Sequence, residues 1–199
     1  MEKGGFAGAL IDAGITVTTS VGWADEMRVG LFGTTRRVWG RRGVKVRQRL
    51  QLVREWRYLH LVVDPIEGRL WWFWSHTMQA TVARSLAEAT KSETDLAALV
   101  WDRAPSHRDA TVRAVGLPLI EQPPGTRLRV SPELNPAERV FEELRAGIEG
   151  VVYPTIEAKV AAVEAILEEL DRDPERVRRL TGWHWIVENL DDLPQKHAA

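Results

Sequence analysis

The chain has 199 residues, no cysteine and a formal net charge of −1. The length predicts one globular unit with a sizeable core, and the lack of cysteine excludes disulfides, thiolate metal sites and a cysteine nucleophile. No apolar run approaches the roughly 18 residues of a membrane span, and residues 1–14 lack the pattern of a signal peptide. We therefore expect a cytoplasmic protein without membrane partners, in which oxygen or histidine holds any metal.

Charge is strongly segregated along the chain. Residues 36–57 carry nine lysines and arginines against one acid, whereas residues 133–199 carry fifteen acids against eight bases. A basic segment of this kind is typical of a surface that contacts a polyanion, although a solvated basic hairpin is an equally good explanation. The candidate phosphate-contacting side chains are Arg36, Arg37, Arg41, Arg42, Lys45, Arg47 and Arg49.

The first part of the chain predicts strands. Residues 1–14, rich in glycine and alanine, predict a poorly ordered lead-in. The β-branched run from Ile15 to Ala24 predicts a buried strand that ends at Asp25. Further strand-like runs lie at residues 28–32 and 36–39, which predict a hairpin, and at residues 58–63 and 70–74, which predict neighbouring antiparallel strands.

Strands and helices then alternate. Residues 78–89 predict a helix, and residues 96–101 predict a strand that ends in Asp102. Pro105 begins a predicted helix that runs to about residue 115, and a short strand follows at 117–121. Helices are further predicted near residues 136–148, 156–170, 174–181 and 183–190. This order predicts an α/β sandwich with a mixed sheet, formed by residues 15–150, and a C-terminal helical extension at 151–199 that packs on it.

The helix that begins near Asn135 carries an ambiguous carboxylate. Asn135 is a good N-cap and Pro136 suits the first helical position, so Glu138 falls in the first turn. Its carboxylate could reach back to the Asn135 backbone N–H as half of a capping box, or point into a cleft and bind a cation. The segment alone leaves both alternatives open.

Three acids could meet at one edge of the predicted sheet. Asp25 and Asp102 each end a central strand, and ligand sites of such sheets lie beyond the strand C-termini, where the helix of Glu138 could cross. Three carboxylates in one cleft repel unless cations neutralise them, and oxygen ligands suit Mg²⁺ or Mn²⁺. Two such ions about 4 Å apart could activate a water or a 3′-hydroxyl at a phosphodiester and stabilise the leaving oxygen.

Several ordered motifs resemble one known family. They are Trp23-Ala24-Asp25-Glu26, Arg37-Val38-Trp39-Gly40, the run from Trp101 to His107, Pro123-Pro124 and the run from Ser131 to Phe141. Together they resemble the catalytic domain of mariner-superfamily DDE transposases, in the bacterial insertion-sequence branch. The 35 residues between Asp102 and Glu138 are close to the usual spacing of that family.

The resemblance implies a fold, a site and partners. It implies a ribonuclease-H-like fold, in which a mixed five-stranded sheet has helices on both faces. It implies that Asp25, Asp102 and Glu138 are the catalytic triad and hold two Mg²⁺ or Mn²⁺ ions for DNA cleavage and strand transfer. Transposon ends and target DNA are the implied substrates, contacted by the basic segment, and a homodimer is the implied assembly.

Three departures from the family pattern modify this expectation. Arg103 stands where the family usually has asparagine, and it could weaken ion binding or turn outward to a phosphate. Residues 125–130 replace a shorter link, and the helix-turn-helix region that should precede the first strand is missing. We expect a catalytic part that depends on a separate helix-turn-helix subunit or on full-length transposase. The alternative is a catalytically inactive remnant that binds DNA or dimerises.

Overall fold

A computed structural model describes residues 6–16, 20–33, 39–47, 49–122, 134–191 and 193–194. The elements in these ranges are α1 (Phe6–Asp12), β1 (Val21–Gly30), β2 (Trp56–Asp64), β3 (Arg69–Ser75), α2 (Ala80–Glu93), β4 (Ala98–Trp101), α3 (Ala110–Arg113), β5 (Leu119–Glu121), α4 (Ala137–Ile148), α5 (Ile156–Asp171), α6 (Pro174–Thr181) and α7 (His184–Asp191).

The strands form one mixed five-stranded sheet in the order β3-β2-β1-β4-β5. β1 pairs antiparallel with β2, and β2 with β3, whereas the β1–β4 and β4–β5 pairs are parallel. The mixed sheet predicted from the sequence is therefore confirmed. The two central strands, β1 and β4, run in the same direction, and β1 continues beyond the level at which β4 ends.

The first strand lies further along the chain than predicted. The prediction placed it at residues 15–24, but β1 continues to Gly30, so Asp25 lies in its middle. The reason is tertiary pairing, because β1 remains in register with β2 from Trp23 opposite Val63 to Gly30 opposite Trp56. Consequently residues 28–30 belong to β1 and not to a separate hairpin, while residues 34–38 of that predicted hairpin lie outside the described ranges.

The sheet carries helices on both faces, and side chains of β1 alternate between them. Met27 and Val29 pack on one face against α4, α5 and α6, and Trp23 packs on the same face near α1 and α7. Ala24 packs on the opposite face with residues of α2 and α3. On that second face a Cβ at Gly22 would lie 2.7 Å from Val62 Cγ1, so only glycine fits.

The lead-in predicted for residues 1–14 is wrong where it can be described. Residues 6–12 form α1, whose Phe6 and Leu10 are buried. The Phe6 ring centroid lies 6.3 Å from that of Trp23 and 5.8 Å from that of Trp185. The four-residue spacing of Phe6 and Leu10 places both on one side of a helix, and burial against the sheet stabilises a segment whose glycine and alanine content gives little other signal.

The C-terminal helices share the core of the sheet. Val163, Leu167 and Leu170 of α5 are fully buried in the cluster that also contains Leu61 of β2. α6 lies at the β2–β3 turn, where Arg178 Nη1 donates to Glu67 O at 3.0 Å. None of the helices in the described ranges is both long enough and apolar enough to cross a membrane.

Candidate active site

Asp25 lies on the face of the sheet that α4 covers, since it shares the strand parity of Met27. Its Oδ1 accepts a hydrogen bond from the Glu26 backbone N–H at 2.8 Å. Burial raises the pKa of the Asp25 carboxyl to about 8, and the nearby charges of Glu26, Glu138 and Asp102 raise this pKa further against the effect of that hydrogen bond. Asp25 therefore has a strongly perturbed carboxyl in the metal-free chain.

Asp102 directly follows β4, as the sequence predicts. Because side chains alternate along a strand, Asp102 lies on the same face as Ala98 and Val100, which is the face of Asp25. The parallel pairing of Trp23 with Val100 puts Asp25 and Asp102 at the same level of neighbouring strands. Asp102 Oδ1 accepts from Ala104 N at 2.9 Å and from His107 Nδ1 at 2.6 Å. These hydrogen bonds lower the pKa of Asp102 against the opposing effect of burial.

The turn after Asp102 replaces most of a predicted helix. The sequence predicts a helix from Pro105, but the chain turns at residues 105–108 and α3 begins only at Ala110, capped by Asp109. In this turn His107 folds back on the strand, and its ring stacks on Trp101 with centroids 3.9 Å apart. The turn thus carries the imidazole to the Asp102 carboxylate.

Glu138 lies in the first turn of α4 and does not form the capping box that the sequence allows. Its Oε2 accepts from Arg145 Nη1 at 3.2 Å. Asn135, 1% exposed, fixes the start of the helix, since its Oδ1 accepts from Ala137 N and its Nδ2 donates to Ala24 O, both at 3.0 Å. Asn135 therefore joins the beginning of α4 to β1 at the residue before Asp25.

The three predicted acids influence one another without forming a finished metal site. The charges of Glu138 and Asp102 both contribute to the raised pKa of Asp25. Within the ranges that the structure describes, however, no three acids or histidines are arranged to hold an ion. The donor chemistry still fits a divalent cation, because all three side chains offer oxygen and Asp25 carries a carboxyl that a cation would ionise.

A buried ionic network lies behind Asp102 on the other face of the sheet. Glu26, whose side chain is 5% exposed, accepts from His107 Nε2 at 3.2 Å, and His60 Nδ1 lies 3.4 Å from the same oxygen. His60 in turn contacts Ser75 Oγ through Nε2 at 2.8 Å and stacks on Phe73. Sequence reasoning missed Glu26 and His60 as partners of this histidine, because the contacting residues lie far apart in the chain.

The contacts in this network shift the pKa values of Glu26 and His107 in opposite directions. Burial alone would raise the pKa of Glu26, but the hydrogen bond from His107 and the close contact with His60 lower it to about 2. Burial would lower the pKa of His107, but Asp102 and Glu26 raise it to about 9. His107 is therefore a cation at neutral pH, held between Asp102 and Glu26.

In the described residues, Arg103 pairs with Glu121 and with none of the three predicted metal ligands. Its Nε forms an ion pair with Glu121 Oε2 at 2.9 Å. Arg108 pairs with the other oxygen of Glu121, through Nη2 at 2.8 Å and Nε at 3.1 Å. A cleft of about 390 Å³ lies next to this cluster and is lined by Asp102 and His107 among others.

The basic segment lies on a connection between β1 and β2. We call residues 31–55 the arm. Hydrogen bonds at its base join Leu31 N to Glu55 O at 2.9 Å and Gly33 N to Gln51 O at 2.8 Å. Five of the seven candidate side chains, Arg41, Arg42, Lys45, Arg47 and Arg49, are exposed, and Arg36 and Arg37 lie outside the described residues. Trp39 is fully exposed at 104%.

Solved structures show which fold this is. No family model and no curated protein matches the sequence of this chain. The Mos1 mariner paired-end complex with Mn matches with a TM-score of 0.61 and 16% identity, over 92% of this chain and 58% of that one. The Mos1 paired-end complex with the left transposon end matches with a TM-score of 0.60 and 17% identity, over 86% and 53%. The catalytic domain of Mos1 mariner transposase matches with a TM-score of 0.54 and 14% identity, over 96% and 92%.

The chain thus spans about half the length of the Mos1 chains found in complexes, and nearly all of the isolated catalytic domain. These likenesses confirm the predicted ribonuclease-H-like fold, with its mixed five-stranded sheet. At identities of 14–17% they establish the fold and leave the chemistry to the residues of the site.

Proposed function

We propose that this chain is the catalytic part of a DDE transposase of the bacterial insertion-sequence branch, which cleaves DNA phosphodiesters and transfers the strand with a divalent metal. The observation that supports this most is the electrostatic coupling of Asp25, Asp102 and Glu138, which come from β1, the end of β4 and the start of α4. A cluster of carboxylates with one strongly raised pKa is a common sign of a functional site.

In this proposal Asp25, Asp102 and Glu138 hold Mg²⁺ or Mn²⁺, in two sites. The bound metal would activate the attacking water or DNA 3′-hydroxyl and stabilise the leaving oxygen. His107 and Ala104 both engage Oδ1 of Asp102, so Oδ2 is the oxygen available to a cation. Asn135 holds α4 against β1, and Arg145 engages only Oε2 of Glu138, so Oε1 is the oxygen available to a cation.

The arm supplies the DNA contact in this proposal. Its exposed arginines and lysine would bind backbone phosphates without reading sequence. We further propose that recognition of transposon ends requires a helix-turn-helix subunit or full-length transposase, and that the working form is a homodimer.

The test combines metal binding with DNA nicking. We expect Mn²⁺ to bind wild type in calorimetry and to support nicking of supercoiled DNA, and Asp102→Asn to lose both. Asp109→Asn is the matched control, because Asp109 is a partly exposed N-cap in the same segment and asparagine caps equally well. A folded wild type that binds no Mn²⁺ at millimolar concentration would overturn the proposal.

One observation favours a second candidate, a catalytically inactive partner that binds DNA or dimerises. Glu138 is paired with Arg145, and the described part of the chain holds no ready three-ligand site. This candidate predicts DNA binding by the arm that is independent of Mn²⁺ and unchanged in Asp102→Asn. The same calorimetry and nicking measurements therefore separate the two functions.

A further inference from the structure

The edge of the sheet beside Asp102 carries a cleft with a mixed lining. Its volume of about 390 Å³ lies within the range of about 300–1,000 Å³ typical of sites for small ligand groups. Trp101 and Leu119 give it apolar walls, while Arg108, Arg113 and Glu121 give it charged ones. The cleft shares Asp102 and His107 with the candidate active site, and Asp102 is the residue at which the cleft and the proposed metal site adjoin.

Two arginines converge on one acid at this edge. Glu121 is the last residue of β5 and pairs in parallel register with Trp101, the residue before Asp102. Its two oxygens receive Arg103 and Arg108, one on each. The local balance of two guanidinium groups and one carboxylate is positive, and Arg113 adds a further positive charge to the lining.

The geometry leaves donors for another anion. Glu121 engages Arg103 through Nε, and both terminal nitrogens of Arg103 lack a partner among the residues that the structure describes. Arg103, Arg108 and Glu121 have side chains that are 39%, 49% and 41% exposed, and ion pairs this exposed contribute little to stability. A guanidinium fork that is held at Nε and open at its ends is suited to a phosphate.

We propose that Arg103 and Arg108 bind a backbone phosphate of the DNA strand next to the one that is cleaved, and that Glu121 holds both arginines at the mouth of the cleft. This inference rests on the proposed function, since it takes DNA as the substrate. It assigns a substrate-binding role to Arg103 at the position where the related family has asparagine. The charge of Arg103 thus acts on the DNA, away from the metal ligands.

The experiment measures DNA affinity without catalysis. Binding of a fluorescein-labelled DNA duplex is followed by anisotropy in EDTA over a range of salt concentrations, for wild type, Arg103→Ala and Arg108→Ala. A lost phosphate contact lowers the slope of log K against log salt by about 1, so each alanine variant should show that decrease. Arg103→Lys and Arg108→Lys should restore the slope, because lysine still neutralises a phosphate.

Arg172→Ala is the matched control. Arg172 is an exposed arginine at the end of α5, where it pairs with Glu168. The chain then enters α6, which lies at the β2–β3 turn. This turn is at the opposite edge of the sheet from Asp102. Arg172→Ala should retain the wild-type slope, and thermal melting should show that all variants are folded.

The outcomes separate this inference from the proposed function. Reduced slopes in the Arg103 and Arg108 alanine variants, with a normal slope in Arg172→Ala, support the phosphate site. Wild-type slopes in both alanine variants overturn it, whether or not the protein nicks DNA. A wild type that binds DNA but never nicks it with Mn²⁺ overturns the proposed function, while the slopes still decide the phosphate site.

Discussion

Asp25 and Glu26 are neighbouring acids of one strand, and their surroundings on the two faces of the sheet shift their pKa values in opposite directions. Asp25 faces α4, where burial and three nearby carboxylates raise its pKa to about 8. Glu26 faces the other side, where His107 and His60 lower its pKa to about 2. The strand alternation alone separates a carboxyl surrounded by like charges from a carboxylate that contacts the His107 cation and the His60 ring.

The difference shows which of the two acids already has partners. A buried carboxylate with only like charges around it is destabilising unless a cation neutralises it, so the environment of Asp25 fits the proposed cation site. Glu26 already has partners, and it fixes His107, which in turn holds Asp102. The back face of the sheet therefore orients Asp102, which the proposed metal site on the front face would use.

The largest expected effect is an opposite change in stability from the same kind of substitution at these two residues. Glu26→Gln removes one of the two anions that hold the buried His107 cation and leaves Asp102 as the other, and should lower the free energy of unfolding by about 1–3 kcal/mol at pH 7. Asp25→Asn removes a carboxyl that is unfavourable when buried and ionised, and should raise the free energy of unfolding in metal-free buffer. Urea denaturation in EDTA measures both, and changes of the same sign in the two variants would contradict the comparison.

The pH dependence of Asp25→Asn follows from the sign of its pKa shift. The pKa of Asp25 is raised in the folded chain, from 3.8 to about 8, so the unfolded state loses this proton first as pH rises. Wild type should therefore lose stability relative to Asp25→Asn between pH 4 and pH 8, with a limiting slope of about 1.4 kcal/mol per pH unit. Saturating Mg²⁺ should reduce the difference, because a cation stabilises the ionised carboxylate.

Sequence reasoning could find Asp102 because a short apolar run stops there, and Glu138 because a cap and a helical pattern surround it. It proposed Asp25 as a candidate but placed it at the end of a strand, since acids are rare in strand interiors and only pairing with β2 carries β1 through Asp25 and Glu26. The Glu26–His107 contact joins residues 81 positions apart, and no local pattern reports such a contact.

A second, smaller effect on Mn²⁺ affinity should follow when the contact between His107 and Asp102 is removed. His107→Ala removes the donor to Asp102 Oδ1, and loss of a group that orients a metal ligand typically costs about 10–100-fold in metal affinity or activity. His107→Asn keeps an N–H donor near the Nδ1 position and should recover part of the loss in Mn²⁺ affinity. The measurement is Mn²⁺ calorimetry together with nicking rates.

His184→Ala is the control for this prediction. His184 is an exposed histidine of α7, and its only ion-pair partner in the described ranges is Glu188. It should leave Mn²⁺ affinity unchanged. An alanine variant of His107 that is folded and binds Mn²⁺ as wild type does would show that Asp102 needs no support from the back face.

The smallest expected effect concerns Glu138. Like Asp25 it is a proposed metal ligand, and like Glu26 it has a cationic partner, Arg145. The pair with Arg145 is partly exposed, with side chains 41% and 29% accessible, so it should be worth less than about 1 kcal/mol. Arg145→Gln should therefore raise Mn²⁺ affinity by a few-fold, since the metal no longer competes with the guanidinium. Arg139→Gln, which breaks the pair with Glu142 on the same helix, should not change it. If both variants bind Mn²⁺ alike, Glu138 is no ligand, and Asp25 and Asp102 alone would hold the ion.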